Sequence, residues 1–413
     1  MKQVYAISIG WMLAVTIGTA AEWTQWRGPD RAGFAPPETP AWPESLEGAL
    51  SLKWEAKLDN GYPGPIVSED LIFTVETKDK KYEVVRAFSR ETGEQKWEHQ
   101  WAGKMSVPFF ARSNGSWVRS TPAYDGEFLY VGGMRDVLVC IRASDGEEMW
   151  KVDFPETYDS PNPGFGLVCS PLIDGDALYL QAGASFVKLN KKTGEEIWRT
   201  MKDGGGMWGS VFSSPTMTTL HGKKQLLVQS RTTLAGIDEA TGEELWSTKV
   251  EAFRGMNILT PMLYENSVFT APYGGRAQRF DVAEDGTVSE KWNNKLQGYM
   301  SSPLIIDDHV YLHLRNQRFV CVALSDGEIK WTSPRGFGKY MSLVANGDKI
   351  LALDERGSLF MFRANPEAFE QLGEFEAADE QAWAHLAVAD NEVIVRSQKS
   401  IKVFEWAMPK LSE

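Results

Sequence analysis

A short motif that ends in tryptophan recurs along the chain and constrains the fold more than any other feature. Each copy has an Asp-Gly or Thr-Gly pair a few residues before Trp, as in Thr193-Gly194 before Trp198. Each unit begins with a small residue that is usually followed by Pro, as in Ser170-Pro171. A run of β-branched and aromatic residues comes after this pair. Such runs favour strands, and Gly pairs favour the tight turns that join them. The pattern predicts repeated small antiparallel sheets.

The spacing of the units identifies the kind of repeat. Successive units are separated by roughly 40–57 residues, which with four short strands per unit is typical of a β-propeller blade. Eight units begin at Pro65, Pro122, Pro171, Pro215, Pro261, Pro303, Leu343 and Leu386. We therefore predict an all-β fold: a single eight-bladed β-propeller built from four-stranded antiparallel blades.

The last unit is one strand short, and the start of the chain supplies a candidate for it. Only three strands fit between Leu386 and Trp406, whereas the segment 51–58 contains Trp54 and precedes the first unit. Pairing these two segments would close the ring and remove an open edge, so we predict that an N-terminal strand closes the last blade. The predicted organisation is a signal peptide (1–21), an N-terminal arm over the propeller (22–50), the propeller (51–406) and a C-terminal tail (407–413).

The first 21 residues have the composition of an export signal. Lys2 precedes an apolar run, and Gly18-Thr19-Ala20-Ala21 provides small residues for cleavage. We expect an exported protein, periplasmic or extracellular, whose mature chain begins at Ala21 or Glu22 and keeps no transmembrane domain. The alternative is that the run remains as a membrane anchor.

Charge and cysteine content exclude some classes of function. The net charge is −13 and no basic block is present, so nucleic acid is not an expected partner. Cys140, Cys169 and Cys321 form no Cys/His cluster, which predicts no metal site. Because three is an odd number, at least one thiol is free or bridges to another chain. We interpret Cys140 and Cys321, which lie in apolar strand patterns, as small buried strand residues.

The turn-to-Trp segments resemble the tryptophan-docking repeat of the PQQ-like propellers, Ala-x-Asp-x-x-Thr-Gly-x-x-x-Trp. The best copy runs from Gly236 to Trp246, and the resemblance covers about residues 51–406. It implies that each Trp packs between blades against a neighbouring turn. The predicted structural docking residues are Trp54, Trp97, Trp150, Trp198, Trp246, Trp292 and Trp331.

Two branches of this superfamily imply different functions. Quinoprotein alcohol dehydrogenases use PQQ and Ca²⁺ and typically carry adjacent cysteines, which this chain lacks. The BamB-like branch is non-enzymatic. We therefore expect a non-catalytic scaffold with no catalytic residues, no PQQ and no Ca²⁺. The alternative is an enzyme of the same fold, PQQ-dependent or otherwise.

Residues just before each unit should surround the mouth of the central channel, and the loops leading to them are long and aromatic. We predict a mouth that binds an envelope or secreted protein or a small ligand, in a protein that is a monomer. The alternative is that these side chains point sideways and pack between blades. The candidates are Tyr62, Phe109, Phe110, Arg112, Trp117, Arg119, Trp208, Phe212, Arg254, Met300, Arg335, Lys339, Tyr340, Trp383 and His385.

Overall fold

Short strands joined by tight turns account for nearly all regular structure in the protein. The structure is a computed structural model and describes residues 20–203 and 210–407. Over these ranges the strands form eight four-stranded antiparallel sheets arranged as blades around a channel. The predicted eight-bladed β-propeller is confirmed.

The first four blades each use four consecutive strands, numbered from the channel outward. Blade 1 contains β2 (Ile66–Val67), β3 (Leu71–Lys78), β4 (Tyr82–Ser89) and β5 (Gln95–Ala102). Blade 2 contains β6 (Ala123–Tyr124), β7 (Phe128–Gly133), β8 (Val137–Arg142) and β9 (Glu148–Asp153). Blade 3 contains β10 (Leu172–Asp174), β11 (Ala177–Ala182), β12 (Ser185–Asn190) and β13 (Glu196–Thr200). Blade 4 contains β14 (Thr216–Leu220), β15 (Lys223–Gln229), β16 (Thr233–Asp238) and β17 (Glu244–Lys249).

The other blades follow the same order until the last one. Blade 5 contains β18 (Met262–Tyr264), β19 (Ser267–Thr270), β20 (Ala277–Val282) and β21 (Val288–Asn294). Blade 6 contains β22 (Leu304–Ile306), β23 (His309–His313), β24 (Phe319–Ala323) and β25 (Ile329–Thr332). Blade 7 contains β26 (Met341–Asn346), β27 (Lys349–Asp354), β28 (Ser358–Arg363) and β29 (Gln371–Glu376). Blade 8 contains β30 (Ala387–Ala389), β31 (Glu392–Arg396), β32 (Ser400–Trp406) and β1 (Leu50–Lys57).

Helical structure is confined to loops. The described ranges contain an α-helix at Phe154–Tyr158 and 3₁₀ turns at Phe109–Asn114 and Phe253–Gly255. None of these has the length and apolar character needed to cross a membrane.

The ring closes through strands from the two ends of the propeller. β1 pairs antiparallel with β32, from Leu50 opposite Trp406 to Lys57 opposite Ser400. A register shift lies between Leu52 and Trp54. The predicted closure of the last blade by an N-terminal strand is confirmed: β1 becomes the outer strand of blade 8 and gives β32 a backbone partner on its outer edge.

Six of the seven predicted docking tryptophans donate their indole N–H to a backbone carbonyl of the next blade along the ring. Trp97 Nε1, for example, lies 2.9 Å from Ala143 O, and Trp292 Nε1 lies 2.7 Å from Leu324 O. Trp246 differs, because its Nε1 donates to Gln225 Oε1 within its own blade at 2.6 Å. A Cβ at Gly236 would lie 2.1 Å from that Trp246 nitrogen, so glycine at the motif's Ala position makes room for this inward orientation.

Hydroxyl side chains join neighbouring blades around the channel. Thr121 Oγ1 accepts the Gly64 N–H at 2.9 Å, and Ser214 Oγ accepts the Ser170 N–H at 3.0 Å. Ser302 Oγ likewise accepts the N–H of Thr260 at 3.0 Å. The small hydroxyl residues that mark the units therefore satisfy backbone donors where inner strands crowd together.

The N-terminal arm enters the channel instead of lying only on the outside. Trp23 and Val67 of blade 1 exchange backbone hydrogen bonds of 2.9 Å. In blade 7, the Ala345 N–H donates to the Gly33 carbonyl, and the Ala345 carbonyl accepts the Ala35 N–H. Gln25 Oε1 accepts the Ile173 N–H of blade 3 at 2.9 Å. These contacts lie beyond the first residues of the inner strands, so the arm plugs the channel from the end opposite the mouth.

Candidate functional site

The mouth of the channel opens into a cavity of about 220 Å³. All eight of the blades contribute to its wall, through the residue three positions before each unit. These residues are Tyr62, Arg119, Val168, Phe212, Ile258, Met300, Tyr340 and Trp383. The inner strands converge on the channel axis, which is why positions far apart in sequence meet here.

Aromatic rings form a continuous wall along much of this cavity. Tyr340 and Trp383 stack with ring centroids 6.0 Å apart and planes 17° from parallel. Tyr62 meets Trp383 edge-on at 6.4 Å, and Phe165 contacts Phe212 at 5.5 Å. Such a wall offers flat apolar surface at a site that remains open to solvent on the mouth side.

Arg119 is the charged side chain of the described cavity wall, which contains no Asp or Glu. Its guanidinium lies 4.8 Å from the Tyr62 ring centroid, and Nη2 donates to Gly115 O at 3.2 Å. Burial lowers the pKa of Arg119, and the proximity of Tyr62 opposes that shift. A guanidinium in this position stays cationic near neutral pH.

The arm supplies the floor of the cavity. Trp26 lines it and donates its indole N–H to Thr260 Oγ1 at 3.3 Å. The neighbouring Arg27 and Arg31 are buried and donate to backbone carbonyls, with Arg31 Nη1 lying 2.6 Å from Pro171 O. Burial lowers the pKa of both guanidinium groups to about 10. Two cations therefore lie within the plug at neutral pH.

Five of the predicted mouth residues lie on the surrounding loops and not on the cavity wall. Phe109, Phe110 and Arg112 are in the 3₁₀ turn after blade 1, and Arg254 is in the turn after blade 4. Trp117 is half-buried and packs over Gly115, where a Cβ would lie 2.0 Å from its Nε1. We refer to Phe109, Phe110, Phe253 and Arg254 as the rim patch.

Other predicted mouth positions need correction. Arg335 Nη2 pairs with Glu374 Oε2 at 2.8 Å in β29, an outer strand, so it lies away from the cavity. Lys339 is exposed and is not part of the cavity wall, although the next residue is. Trp208 lies outside the described residues.

His385 is buried where the arm meets blade 8 and does not line the cavity. Its ring lies 4.9 Å from Trp26 and 6.3 Å from Trp23, and its Nδ1 is 2.8 Å from Leu386 O. Burial, with the nearby Arg27 charge, lowers its pKa to about 3. The imidazole is therefore neutral at physiological pH and has a packing role.

The arm's contribution to the cavity does not follow from the sequence pattern. Trp26 was not among the candidates because the arm precedes the repeat, and periodicity says nothing about it. Tyr299 and Met256 lie in loops whose path only the folded ring defines. The available signal was the unusual combination of Trp, Arg and Gly in residues 23–33, within a segment otherwise rich in Pro.

The metal-ligating side chains of the described ranges are scattered, and the three thiols are buried. In residues 20–203 and 210–407, no three His, Cys, Asp or Glu side chains come together as a metal site. Cys140, Cys169 and Cys321 are buried and unpaired, and burial raises their thiol pKa values to about 12, about 11 and about 11. Such thiols are poor nucleophiles.

These features define the class of protein: an eight-bladed propeller of the PQQ-like type with tryptophan docking and a plugged channel. The family model described as outer membrane protein assembly factor BamB matches residues 81–333. The chain belongs to this family.

Curated relatives support the assignment over part of their length. The outer membrane protein assembly factor BamB of Shewanella oneidensis is 24% identical over 268 residues, which are 63% of this chain and 60% of that protein. The BamB of Yersinia pestis is 22% identical over 256 residues, 60% of this chain and 61% of that protein. The match thus spans about three-fifths of the length of these relatives.

Solved structures share the fold at low identity. BamB from Moraxella catarrhalis has a TM-score of 0.62 at 15% identity, covering 88% of this chain and 99% of that one. A quinohemoprotein alcohol dehydrogenase from Comamonas testosteroni has a TM-score of 0.53 at 11% identity, covering 97% and 83%. Identities this low demonstrate a common fold only.

Proposed function

We propose that the protein is an exported, non-catalytic propeller scaffold that holds a protein partner on its loop-rich face. Its relatives are named as outer membrane protein assembly factors, and we place its role in the same class. The observation that carries the proposal is the rim patch. It brings the loop after blade 1 and the loop after blade 4 together into one apolar and cationic surface.

The geometry of the rim patch suits a protein interface. Phe109 is 79% exposed and Phe253 is 48% exposed, which is unusual for large apolar side chains. The Phe109 and Phe110 rings are 5.6 Å apart, and the Arg254 guanidinium lies 5.9 Å from the Phe110 ring. Aromatic residues and Arg carry much of the binding energy at protein interfaces.

A quinone-dependent enzyme is the alternative, and the cavity is a poor fit for its cofactor. The described wall holds no carboxylate for Ca²⁺, and Cys140 and Cys321 lie in blades 2 and 6 instead of side by side. We therefore propose that the protein uses neither PQQ nor Ca²⁺. Alcohol-dependent dye reduction by protein incubated with both, above a heat-killed control, would overturn this.

The location that we propose is the periplasm, reached through the N-terminal signal. It is supported by the composition of residues 1–21 and by the name of the BamB relatives. We also propose that the protein is a monomer in the absence of its partner, which sedimentation of the mature chain would test.

Crosslinking in the native envelope tests the partner proposal. A photoreactive amino acid at Phe109 should give a discrete adduct with an envelope protein, and Phe253→Ser should reduce its yield at least tenfold. The matched control is Ile197→Ser, because Ile197 is 52% exposed on an outer strand away from the mouth. Equal loss in the two variants, or no adduct at Phe109, would contradict the proposal.

A further inference from the structure

The channel cavity contains a positive charge, that of Arg119, which has no role in the proposed binding of a protein partner at the rim patch. Arg119 forms no ion pair with a described carboxylate; its contacts are the Gly115 carbonyl and the Tyr62 and Phe165 rings. Its Nε is buried without a hydrogen-bond partner. A buried donor left unsatisfied is costly, so a ligand that accepts a hydrogen bond here would gain affinity.

The plug beneath the cavity adds positive potential in the same direction. Arg27 and Arg31 donate from terminal nitrogens to the carbonyls of Ala32, Pro303, Ser170 and Pro171, and their Nε atoms are buried without a partner. No described carboxylate forms an ion pair with either of them. Charges within a low-dielectric channel act at longer range than charges in water. An anion at the mouth would be attracted by all three guanidinium groups.

The plug is also held in a conformation that needs support from its surroundings. Arg27 and Arg31 have φ values of 63° and 60°, in the left-handed region that side-chain-bearing residues rarely adopt. A Cβ at Gly33 would lie 2.7 Å from both Arg27 Nη2 and Leu304 Cδ2, so the turn is packed tightly against blade 6. Strain of this kind occurs where a fold positions particular side chains, here the floor residue Trp26 and the two cations.

Size and shape limit the ligand further. At about 220 Å³ the cavity is smaller than the roughly 300–1,000 Å³ typical of sites for drug-sized molecules. Trp26 forms its floor, and the stacked pair Tyr340 and Trp383 forms one wall. These surfaces suit one flat apolar group with a single anionic end.

We propose that this cavity binds a small organic acid, whose carboxylate pairs with Arg119 while its aromatic or aliphatic body packs against Trp26, Tyr340 and Trp383. The site goes beyond the scaffold role, and its occupation does not depend on the rim patch. Because Trp26 belongs to the arm, ligand binding and arm docking should stabilise each other.

Phenylacetate and its neutral counterpart 2-phenylethanol are suitable probes. Ligand-observed NMR titration of the mature protein should show saturable phenylacetate binding in the submillimolar to millimolar range, as expected for so few atoms. 2-Phenylethanol should bind at least tenfold more weakly. Arg119→Gln should weaken phenylacetate to the level of the alcohol and leave the alcohol unchanged, whereas Arg119→Lys should retain part of the preference.

Arg335→Gln is the matched control, because Arg335 also lies over two aromatic rings, Phe337 and Phe360, but far from the cavity. It should leave phenylacetate binding unchanged. A Trp26→Leu variant that remains folded by circular dichroism should bind both probes at least threefold more weakly.

Several results would overturn the proposal. Equal affinity for acid and alcohol would show a purely apolar pocket. An unchanged preference in Arg119→Gln would place the anion elsewhere. Binding of a short peptide with an aromatic C-terminal residue, without binding of phenylacetate, would show a site for a chain terminus.

The two proposals fail independently. Loss of crosslinking at Phe109 with phenylacetate binding intact would reject the scaffold proposal alone.

Discussion

At the residue scale, a turn glycine of the next blade provides the packing surface for five of the docking tryptophans. Gly242 has a φ of +76°, and a Cβ there would lie 2.7 Å from the Trp198 ring. The position therefore requires glycine for two reasons: the left-handed backbone conformation, and the close approach of the indole from the neighbouring blade. Only the backbone reason applies at Gly222, because its φ is +73° and nothing lies within 4 Å of the position that a Cβ would occupy.

Alanine substitutions at these two glycines should separate strain from docking. We expect Gly222→Ala to lower the free energy of unfolding by about 1–2 kcal/mol, the cost of a left-handed residue. Gly242→Ala should lower the free energy of unfolding by ~1–3 kcal/mol more than Gly222→Ala does, because the added methyl displaces Trp198. Denaturant titration followed by tryptophan fluorescence measures both. Equal losses would mean that docking at this turn contributes little.

Glu83 is a buried carboxyl that links blade 1 to blade 2. Its Oε1 accepts the Met134 N–H at 2.6 Å, and its Oε2 accepts the Trp101 indole N–H at 2.7 Å. Burial raises its pKa to about 7, although these hydrogen bonds and the cations Lys151 and Arg135 oppose the shift. The protonated form is thus favoured by the fold more than it is in the unfolded chain.

The pH dependence of stability should reveal this group. Because the folded-state pKa is raised, its stabilising contribution is complete below about pH 4.5 and is lost as the pH rises through 7. The loss amounts to roughly 3 kcal/mol. Glu83→Gln should flatten the stability profile between pH 4.5 and 8 by about that amount. Glu284→Gln, at an exposed position, should reproduce the wild-type profile in the same denaturant titrations.

At the element scale, β1 and the arm stabilise the ring in different ways. β1 gives the outer edge of β32 a hydrogen-bonded partner along its length. The arm instead packs inside, where Trp23 joins a core shared with blades 7 and 8. One element closes the ring and the other fills its centre, although they are adjacent in sequence.

Two truncations distinguish these contributions. A chain that begins at residue 50 keeps β1 and should unfold cooperatively at a lower temperature than the mature protein. A chain that begins at residue 59 also loses β1, exposes the edge of β32, and should aggregate or lose its cooperative transition. Thermal unfolding by circular dichroism, with light scattering, measures both. Matching melting curves for the two would argue against the closure role.

At the scale of the whole molecule, Ala21 of the arm contacts blade 8, 369 residues away in the chain. The Ala21 N–H donates to Asp390 Oδ1 at 2.8 Å, and Arg90 donates to the Ala21 carbonyl and pairs with Asp390. A mature chain that began at Ala21 would place its α-ammonium group against this carboxylate. Cleavage after Ala20 would then add an ion pair that joins the arm to blades 1 and 8.

N-terminal sequencing of the envelope form should therefore read Ala21. A chain produced from Ala21 should be more stable than one from Glu22 by up to about 1 kcal/mol, as expected for an ion pair with a partly exposed carboxylate. Recovery of intact Met1 from washed membranes would instead support the anchor. Equal stability of the two chains would show that this terminal contact is negligible.

The sequence by itself determined the fold class, the number of blades and the ring of residues at the mouth, because each follows from a local pattern repeated at a regular interval. Strand alternation, Gly turns and the small residue before each inner strand act within a few residues of one another. The same regularity predicted that the residues three positions before each unit, from Tyr62 to Trp383, would reach the cavity.

Only the tertiary structure decided what fills the channel and which loop residues face it. The arm lies outside the repeat, so its insertion depends on contacts such as Arg31 with Ser170 and Pro171, more than a hundred residues away. Arg335 and Arg119 are equally cationic in sequence, but one pairs with Glu374 on an outer strand and the other lines the cavity. Long-range packing and burial make that distinction, and no local pattern encodes them.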